Sequence, residues 1–294
     1  MMAILRCLCL APIILASLIL GFGSPARCAP ALWKVHGKVG TAYLFGSIHV
    51  LPPETRWRTR AIDAAIRSSN IFAFEIPNDA KTQARIQRLV AEKGQLPVGT
   101  TLPSILTPEA RADFEADLAR EHVPHAAIDG KRPWLADLVL VVQQMALENA
   151  SLAHGVDTVL MEEAARQHRD TRYLETLDAQ IALLVPTDPK LELDEFEADL
   201  REFRQQSDEF DALIAAWSNG NLAAIDRLIN GEFAAHPEAR KALLDDRNHV
   251  WATKIEGWLG EPRTFFITVG AGHLVGKNSL VELLRRDGLR VEGP

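Results

Sequence analysis

The sequence predicts an α/β fold with a mixed, mostly parallel sheet that is covered by many helices. Short β-prone runs alternate with amphipathic segments along the chain, which is the pattern of strands connected by helical crossovers. The composition, 47% hydrophobic and 24% charged, is that of an ordinary globular domain. There are only three cysteines in 294 residues, so a hydrophobic core rather than disulfides is expected to hold the domain together.

The predicted strands are short runs rich in aromatic, β-branched and leucine residues, bounded by glycine or turn residues. The first two flank a turn that contains Gly37 and Gly40, so we expect them to form a hairpin. In order along the chain, the predicted strands are Leu32–Val35, Thr41–Phe45, Ile71–Phe74, Thr171–Leu174, Thr264–Val269 and Leu289–Val291.

Between the strands, apolar residues recur at spacings of three and four, which predicts amphipathic helices. Proline and glycine separate many of these segments. The acidic segment Asp194–Gln206 is expected to present a solvated face. The predicted helices are Arg58–Ser68, Lys81–Lys93, Pro108–Glu121, Trp134–Asn149, Asp157–His168, Asp194–Gln206, Asp208–Leu228, Pro237–Leu259 and Ser279–Arg286.

Residues 1–28 predict a secretory signal peptide. Arg6 precedes an apolar run from Cys7 to Phe22, and small residues follow this run. An uncleaved membrane anchor is the alternative, but the run is shorter than the roughly 20 apolar residues that span a bilayer. We therefore expect a domain of residues 29–294, periplasmic or secreted, with no stable membrane span after cleavage.

The charge pattern and the absent motifs narrow the classes of function. The chain is acidic, with a formal net charge of −7, and it has no basic stripe, so nucleic acid is not an expected partner. It lacks the H-E-x-x-H, G-x-S-x-G, G-x-G-x-x-G and P-loop patterns. Mechanisms based on a serine or cysteine nucleophile therefore have no support in the sequence.

Polar side chains follow four of the predicted strands. The turn from Gly46 to His49 follows the second strand, and the turn from Gly270 to His273 follows the fifth. Glu75 and Glu175 follow the third and fourth strands. Because the carboxyl ends of parallel strands meet at one edge of a sheet, two histidines and one or two glutamates are expected to converge there.

Histidine and carboxylate donors suit Zn²⁺, Mn²⁺, Fe²⁺ or Co²⁺, and such an ion brings the pKa of bound water toward neutrality. One Gly-x-x-His turn alone is a weak signal, since a histidine at a strand end usually caps backbone groups. Glu75 and Glu175 could likewise be helix caps or ion-pair partners. The repeated order of strand, glycine turn and histidine is what indicates a shared metal site at His49 and His273.

Two further polar segments have both a structural and a functional interpretation. Arg247 and Asn248 lie within a predicted helix, where such residues usually face solvent. The alternative is that Arg247 steadies a carboxylate or a substrate anion. Asp157 follows Gly155 in a predicted turn, and we expect Asp157 to cap the helix that begins there.

These elements, in this order, resemble the signature of the TraB/GumN family. The resemblance covers almost the whole predicted domain, and the family is related to the TIKI proteases and more distantly to the erythromycin esterase and ChaN-like proteins. The segments that carry the resemblance are Tyr43–Val50, Phe74–Glu75, Gly155–Asp157, Leu174–Thr176 with Gln180, Asp246–Asn248, and Val269–Leu274 with Gly276.

The resemblance implies an α/β fold with pseudo-duplicated halves, whose two Gly-x-x-His turns meet at one cleft. Since TIKI proteins are described as metal-dependent proteases, it implies His49 and His273 as metal ligands and Glu75 as a ligand or general base. Arg247 and Asn248 would bind or orient substrate. The remaining residues of the pattern that would support the site are Glu175, Gly46 and Gly270.

We therefore expect an exported metal-dependent hydrolase, in the first instance a peptidase, acting on a peptide or a small-molecule substrate. A second interpretation is a protein that binds haem or a small ligand through the same two histidines, because ChaN-like relatives bind haem. A third is a non-catalytic exported interaction protein that retains only the fold.

Overall fold

The computed structural model describes residues 29–203, 206–231, 233 and 237–294. The predicted signal peptide, with all three cysteines, lies outside the described residues. Within the described ranges, no helix is both long and apolar enough to cross a bilayer.

In the described part of the chain, six strands form one mixed sheet with the order β4-β3-β5-β2-β1-β6. Strands β4, β3, β5 and β2 run parallel to one another, whereas β1 is antiparallel to both β2 and β6. The predicted α/β fold with a mixed, mostly parallel sheet is therefore confirmed. The strands are β1 (Leu32–His36), β2 (Thr41–Ser47), β3 (Ile71–Phe74), β4 (Asp170–Tyr173), β5 (Thr264–Gly270) and β6 (Arg290–Glu292).

Helices cover the sheet and fill the long connection between β3 and β4. Short turns of other helical types include Leu152–His154 (3-10), Lys241–Asp245 (π) and Ala271–Leu274 (3-10). The α-helices are α1 (Arg60–Ser68), α2 (Ala80–Lys93), α3 (Leu102–Ile105), α4 (Pro108–Glu121), α5 (His125–Ile128), α6 (Pro133–Leu147), α7 (Val156–Arg166), α8 (Leu177–Leu184), α9 (Pro189–Glu202), α10 (Gln206–Ser218), α11 (Leu222–Asn230), α12 (Pro237–Arg240), α13 (Asp246–Trp258) and α14 (Leu280–Arg286).

Both faces of the central strands are buried, because successive side chains of a strand point to opposite faces and helices cover each face. On one face, the rings of Phe72 and Phe266 pack with centroids 5.9 Å apart, in a core shared with α1 and α7. On the other face, Ile71 and Phe265 pack in the same cluster as Trp251 of α13. The carboxyl ends of β2, β3 and β5 therefore project from a closely packed scaffold.

A separate apolar cluster lies among α3, α4, α6 and α9, away from the sheet. The rings of Phe114 in α4 and Phe196 in α9 pack with centroids 6.2 Å apart, and Leu200 is buried in the same cluster. The prediction that Asp194–Gln206 is a solvated face is therefore wrong along one side of α9. The many acidic residues of α9 make its sequence look solvent-exposed, although apolar residues recur along one side at helical spacing.

The single helix predicted over Asp208–Leu228 is instead two helices, α10 and α11. Gly220 adopts a φ of 66°, in the left-handed region that favours glycine. The side chain of Asn221 then accepts a hydrogen bond from the Ala224 N–H at 3.1 Å and caps α11. The sequence Asn219-Gly220-Asn221 contains both signals, but the apolar spacing continues across it.

Candidate functional site

The carboxyl ends of three adjacent parallel strands meet above Gly270. Strand β5 lies between β2 and β3, and Ser47 of β2 is the register partner of Gly270. A Cβ atom built on Gly270 would lie 3.4 Å from Oε1 of Glu75, 3.6 Å from Nε2 of His49 and 3.7 Å from Cδ2 of His273. The three side chains expected to bind metal therefore share a small space that only a glycine leaves open.

His49 follows β2 and is the accessible member of this group, with 58% of its side-chain surface exposed. Its Nδ1 lies 2.6 Å from Oδ2 of Asp157. Because a carboxylate only accepts, Nδ1 carries the proton and donates it in this bond. Nε2 is then the ring nitrogen of His49 that faces the space above Gly270.

The contact with Asp157 corrects one prediction about α7. Gly155, not Asp157, is the N-cap of this helix, and Asp157 lies in its first turn with its side chain directed at His49. A Cβ on Gly155 would lie 2.0 Å from the backbone oxygen of His49. Gly155 is thus needed for the start of α7 to approach the His49 turn, and this approach brings Asp157 within reach of the imidazole.

His273 lies in the short turn after β5 and is buried, with its ring 4.4 Å from that of Trp251 between centroids. The Nδ2 group of Asn248 donates to the backbone oxygen of Asn278 at 2.9 Å, so Oδ1 of Asn248 faces His273. Nδ1 of His273 therefore donates to that oxygen, at 2.7 Å. The Nε2 lone pair of His273 is left to face the site.

Glu75 follows β3, is buried, and accepts hydrogen bonds on both carboxylate oxygens. Oε1 accepts from the Gly270 N–H at 2.7 Å. Oε2 accepts from Nη2 of Arg247 at 2.8 Å and from Nε2 of Gln180 at 3.2 Å. Oε1 also lies 4.0 Å from Nε2 of His273. These bonds hold the carboxylate in one orientation at the centre of the site.

Arg247 links the two glutamates expected at the strand ends. Its Nε and Nη2 donate to the two oxygens of Glu175, at 3.1 and 2.8 Å, in a bidentate pair. Nη2 also reaches Glu75, and Nη1 donates to the backbone oxygen of Leu243 at 2.8 Å and to Nε2 of His273 at 3.1 Å. All five N–H donors of the guanidinium group are therefore engaged. The alternative in which Arg247 steadies a carboxylate matches this geometry.

The surroundings of the two histidines shift their pKa values in opposite directions. The charge of Asp157 raises the pKa of His49 to about 9. Burial lowers the pKa of His273 to about 3, so this ring is neutral at neutral pH. Burial disfavours the charged form of Glu75, but His273, Arg247, His49 and the Gly270 N–H together lower the pKa of Glu75. Because His273 is neutral above pH 3, we take Arg247 as the main cause of this lowering at neutral pH.

Asn248 and Glu175 lie behind the site rather than in its open part. Asn248 is buried and bonded to His273 and to the Asn278 backbone, so it orients an imidazole and is not free to contact substrate. Glu175 is held by Arg247, and its N–H donates to the backbone oxygen of Glu75 at 2.9 Å. Gly46, expected to support the site, accepts a hydrogen bond from Nε1 of Trp217 at 2.9 Å on its backbone oxygen.

The donor groups fit a divalent metal in their chemistry. Each imidazole donates Nδ1–H to an oxygen acceptor and turns Nε2 toward the same space, which is the usual support for a metal-bound histidine. Glu75 adds an anionic oxygen. Within the described ranges, no three His, Cys, Asp or Glu side chains already have the arrangement of a metal site. For a metal to bind, His273 would have to exchange the bond from Arg247 to its Nε2, and His49, whose pKa is raised to about 9, would have to release the proton on its Nε2.

A cavity of about 480 Å³ opens beside His49 and Glu75. Its wall is formed by the segment after β3, by α2, by the turn Leu152–His154 and by α7, together with Gln180 of α8. This volume lies within the usual range of small-molecule and peptide-side-chain sites, roughly 300–1,000 Å³. Two of the three expected ligands, His49 and Glu75, thus line a space that is large enough for part of a substrate.

The comparison with known proteins confirms the family that the sequence resembles. Residues 31–293 match the TraB/PrgY/gumN family, and the chain belongs to this family. It is 25% identical to metalloprotease TIKI1 from Danio rerio, over 89% of this chain and 62% of that protein. It is 26% identical to metalloprotease TIKI2 from Xenopus tropicalis, over 89% of this chain and 59% of that protein. The chain therefore spans less than two thirds of these two metalloproteases.

A shorter relative is matched over most of its length. The uncharacterized protein YbaP from Escherichia coli (strain K12) is 25% identical, over 83% of this chain and 87% of that protein. No solved structure shows a significant match to the chain.

Proposed function

We propose that the chain is an exported metal-dependent hydrolase that acts on peptides, with its site where His49, Glu75 and His273 meet. The observation that supports this most is the convergence of Nε2 of His49, a carboxylate oxygen of Glu75 and the ring of His273 on the space above Gly270. The names of two relatives, both metalloproteases at low identity, support the same class of reaction. Export is proposed from the charged and apolar pattern of residues 1–28.

His49, His273 and Glu75 would hold the metal, whose identity among Zn²⁺, Mn²⁺, Fe²⁺ and Co²⁺ is left open by this donor set. When bound, such an ion lowers the pKa of a water molecule and polarises a substrate carbonyl. The chain's own residues prepare the site for this. Asp157 keeps Nδ1 of His49 protonated and Nε2 facing the site, and Asn248 does the same for His273.

Arg247 has two roles in this proposal. Its bonds to Glu75 and Glu175 keep the carboxylate of Glu75 ionised and in place. Its Nη1 must leave Nε2 of His273 for that nitrogen to bind metal, and the released N–H then becomes available to an oxygen of the substrate. A donor in this position is suited to stabilise negative charge that develops on a carbonyl oxygen.

The test is metal content together with peptide hydrolysis, measured on protein purified without a metal-affinity step. We expect bound metal in the unaltered chain and its loss in both His49→Ala and His273→Ala. His154→Ala is the matched control, because this exposed histidine bonds to Ser151 and does not reach the site. Unchanged metal content in both site variants would overturn the proposal.

A further inference from the structure

The wall of the cavity beside His49 is mostly uncharged. Apart from His49, Glu75 and Asp157, which belong to the site, no described residue that lines it carries a charge. We define the apolar pocket as the aliphatic part of this wall, which is formed by Ile76, Pro77, Ile86, Leu152, Ala153 and Met161. Such a wall gains free energy when it takes up an apolar group from water.

The charged groups at the mouth of the apolar pocket are already paired. Glu75 accepts from Arg247, Gln180 and the Gly270 N–H, and the carboxylate of Asp157 is bonded to His49. A lysine or aspartate side chain that entered the pocket would lose its water and find no free partner of opposite charge. The pocket therefore disfavours charged side chains as well as favouring apolar ones.

Leu152 connects the apolar pocket to the turn that carries His49. It lies in the turn Leu152–His154, with 57% of its surface exposed. The next residue after this turn is Gly155, which packs against the backbone of His49. The pocket wall and the His49 turn are thus in direct contact, and Leu152 lines the same cavity as His49 and Glu75.

We propose that the apolar pocket binds an uncharged, apolar side chain of the peptide substrate, adjacent to the bond that is cleaved. This inference rests on the proposed function for the identity of the substrate. It assigns a preference for residues such as leucine, methionine or phenylalanine at that position, against lysine, arginine, aspartate or glutamate. Asn78, Gln83 and Gln180 supply neutral polar groups on the same wall, suited to the peptide backbone.

The test is equilibrium binding of two blocked, fluorophore-labelled peptides that differ only in one central residue, leucine or lysine. Fluorescence anisotropy with the purified full chain gives both affinities. Mass spectrometry of the same samples shows whether either peptide has been cleaved. We expect the leucine peptide to bind at least about tenfold more tightly than the lysine peptide.

Two matched variants decide whether the apolar pocket is responsible. Leu152→Glu is expected to weaken binding of the leucine peptide by about tenfold or more. Leu147→Glu is the control, since Leu147 is 52% exposed at the end of α6 and does not line the cavity. Both positions are exposed enough for glutamate to be tolerated in the folded chain.

Failure of this inference and failure of the proposed function are distinguishable. If both peptides bind with equal affinity and both are cleaved, the apolar pocket is overturned and the proposed hydrolase stands. Equal effects of Leu152→Glu and Leu147→Glu on binding of the leucine peptide would likewise overturn the pocket and leave the hydrolase intact. Selective binding that is lost in Leu152→Glu, without any cleavage in the presence of added divalent metal, would support the pocket and contradict the hydrolase. Binding of neither peptide would overturn the pocket.

Discussion

The carboxylate of Asp157 accepts a hydrogen bond from Nδ1 of His49 at 2.6 Å, although 108 positions separate the two residues. This contact determines which nitrogen of His49 carries the proton, and so which one faces Glu75 and His273. The same arrangement recurs at His273, where the acceptor is Asn248. Each imidazole is therefore oriented by an acceptor on its Nδ1: Asn248 is buried behind His273, whereas Asp157 also lines the cavity beside His49.

Asp157→Ala removes the acceptor that orients His49. If the site binds metal, we expect the affinity for the metal to fall about 10- to 100-fold, as is typical when a group supporting a ligand histidine is lost. Metal titration monitored by calorimetry measures this. The matched control is Asp129→Ala, because Asp129 makes the same kind of bond to His125 at 2.9 Å, outside the site. Equal affinities of the two variants would contradict a role for Asp157.

Gly270→Ala places a methyl group in the space that the three expected ligands share. The φ of −50° at Gly270 is accessible to alanine, so we expect the chain to fold but to lose bound metal and hydrolysis. Gly257→Ala is the control, since a Cβ at that helical position meets nothing within 4 Å. This control should be stabilised by about 0.5–1 kcal/mol in urea unfolding. Full metal content in Gly270→Ala would show that the shared space is not the metal site.

Arg247→Met leaves Glu75 and Glu175 without their common cation. Because Arg247 is only 13% exposed and both carboxylates are largely buried, we expect the free energy of unfolding at pH 7 to fall by about 3 kcal/mol. Arg166→Met is the control, since Arg166 forms an exposed pair at 3.6 Å with Glu162. Its effect should stay below about 0.5 kcal/mol.

The pH dependence of the same variant follows from the lowered pKa of Glu75. A carboxyl group with a pKa lower in the folded than in the unfolded state adds stability above its ordinary value of 4.5. That stability is lost as the pH falls through the folded-state pKa. The difference between the unaltered chain and Arg247→Met should therefore be large at pH 7 and shrink below about pH 4. A difference that grows on acidification would contradict the ion pair.

For Asp137 in α6, we expect a pH dependence of stability opposite to that of Glu75. Burial, with the nearby charges of Asp199 and Glu195, raises the pKa of Asp137 well above 3.8. A raised carboxyl pKa means that stability is full below 3.8 and is lost as the pH rises through the folded-state pKa. Asp137→Asn should therefore raise the melting temperature at pH 7, with a gain on the order of 1 kcal/mol that disappears near pH 3. Thermal melts at the two pH values measure this, and a destabilised variant at pH 7 would contradict it.

Much of the framework follows from short-range patterns in the sequence. The strand Ile71–Phe74 and the helix Pro108–Glu121 have the predicted bounds, because a compact β-prone run and a proline start are both local signals. The expected convergence of His49, Glu75 and His273 follows from parallel strands whose carboxyl ends share one edge. The break at Gly220 was missed, since apolar spacing continues across it.

The partners that orient the site could not be read from local patterns. Asp157 at the start of a helix has the sequence appearance of a cap, and only the close approach permitted by Gly155 brings it to His49. Asn248 and Arg247 look like solvent-facing residues of a helix, yet both are turned toward the sheet end. These contacts depend on how α7 and α13 pack against the sheet, which is a property of the tertiary structure.

The cavity wall and the two site histidines come from different parts of the chain. The long connection between β3 and β4 contributes most of the cavity wall, including Ile86 and Leu152, whereas His49 and His273 come from the turns after β2 and β5. If the cavity binds the substrate, replacing helices in this connection would alter which substrates are accepted and would leave the two histidines in place. Three residues of the connection are exceptions: Glu75 at its start belongs to the site, and Gly155 and Asp157 tie the connection back to the His49 turn. An engineer who wished to redirect the protein to a new ligand should therefore vary the connection between Ile76 and Ala153 and leave Glu75 and the segment from Gly155 to Asp157 unchanged.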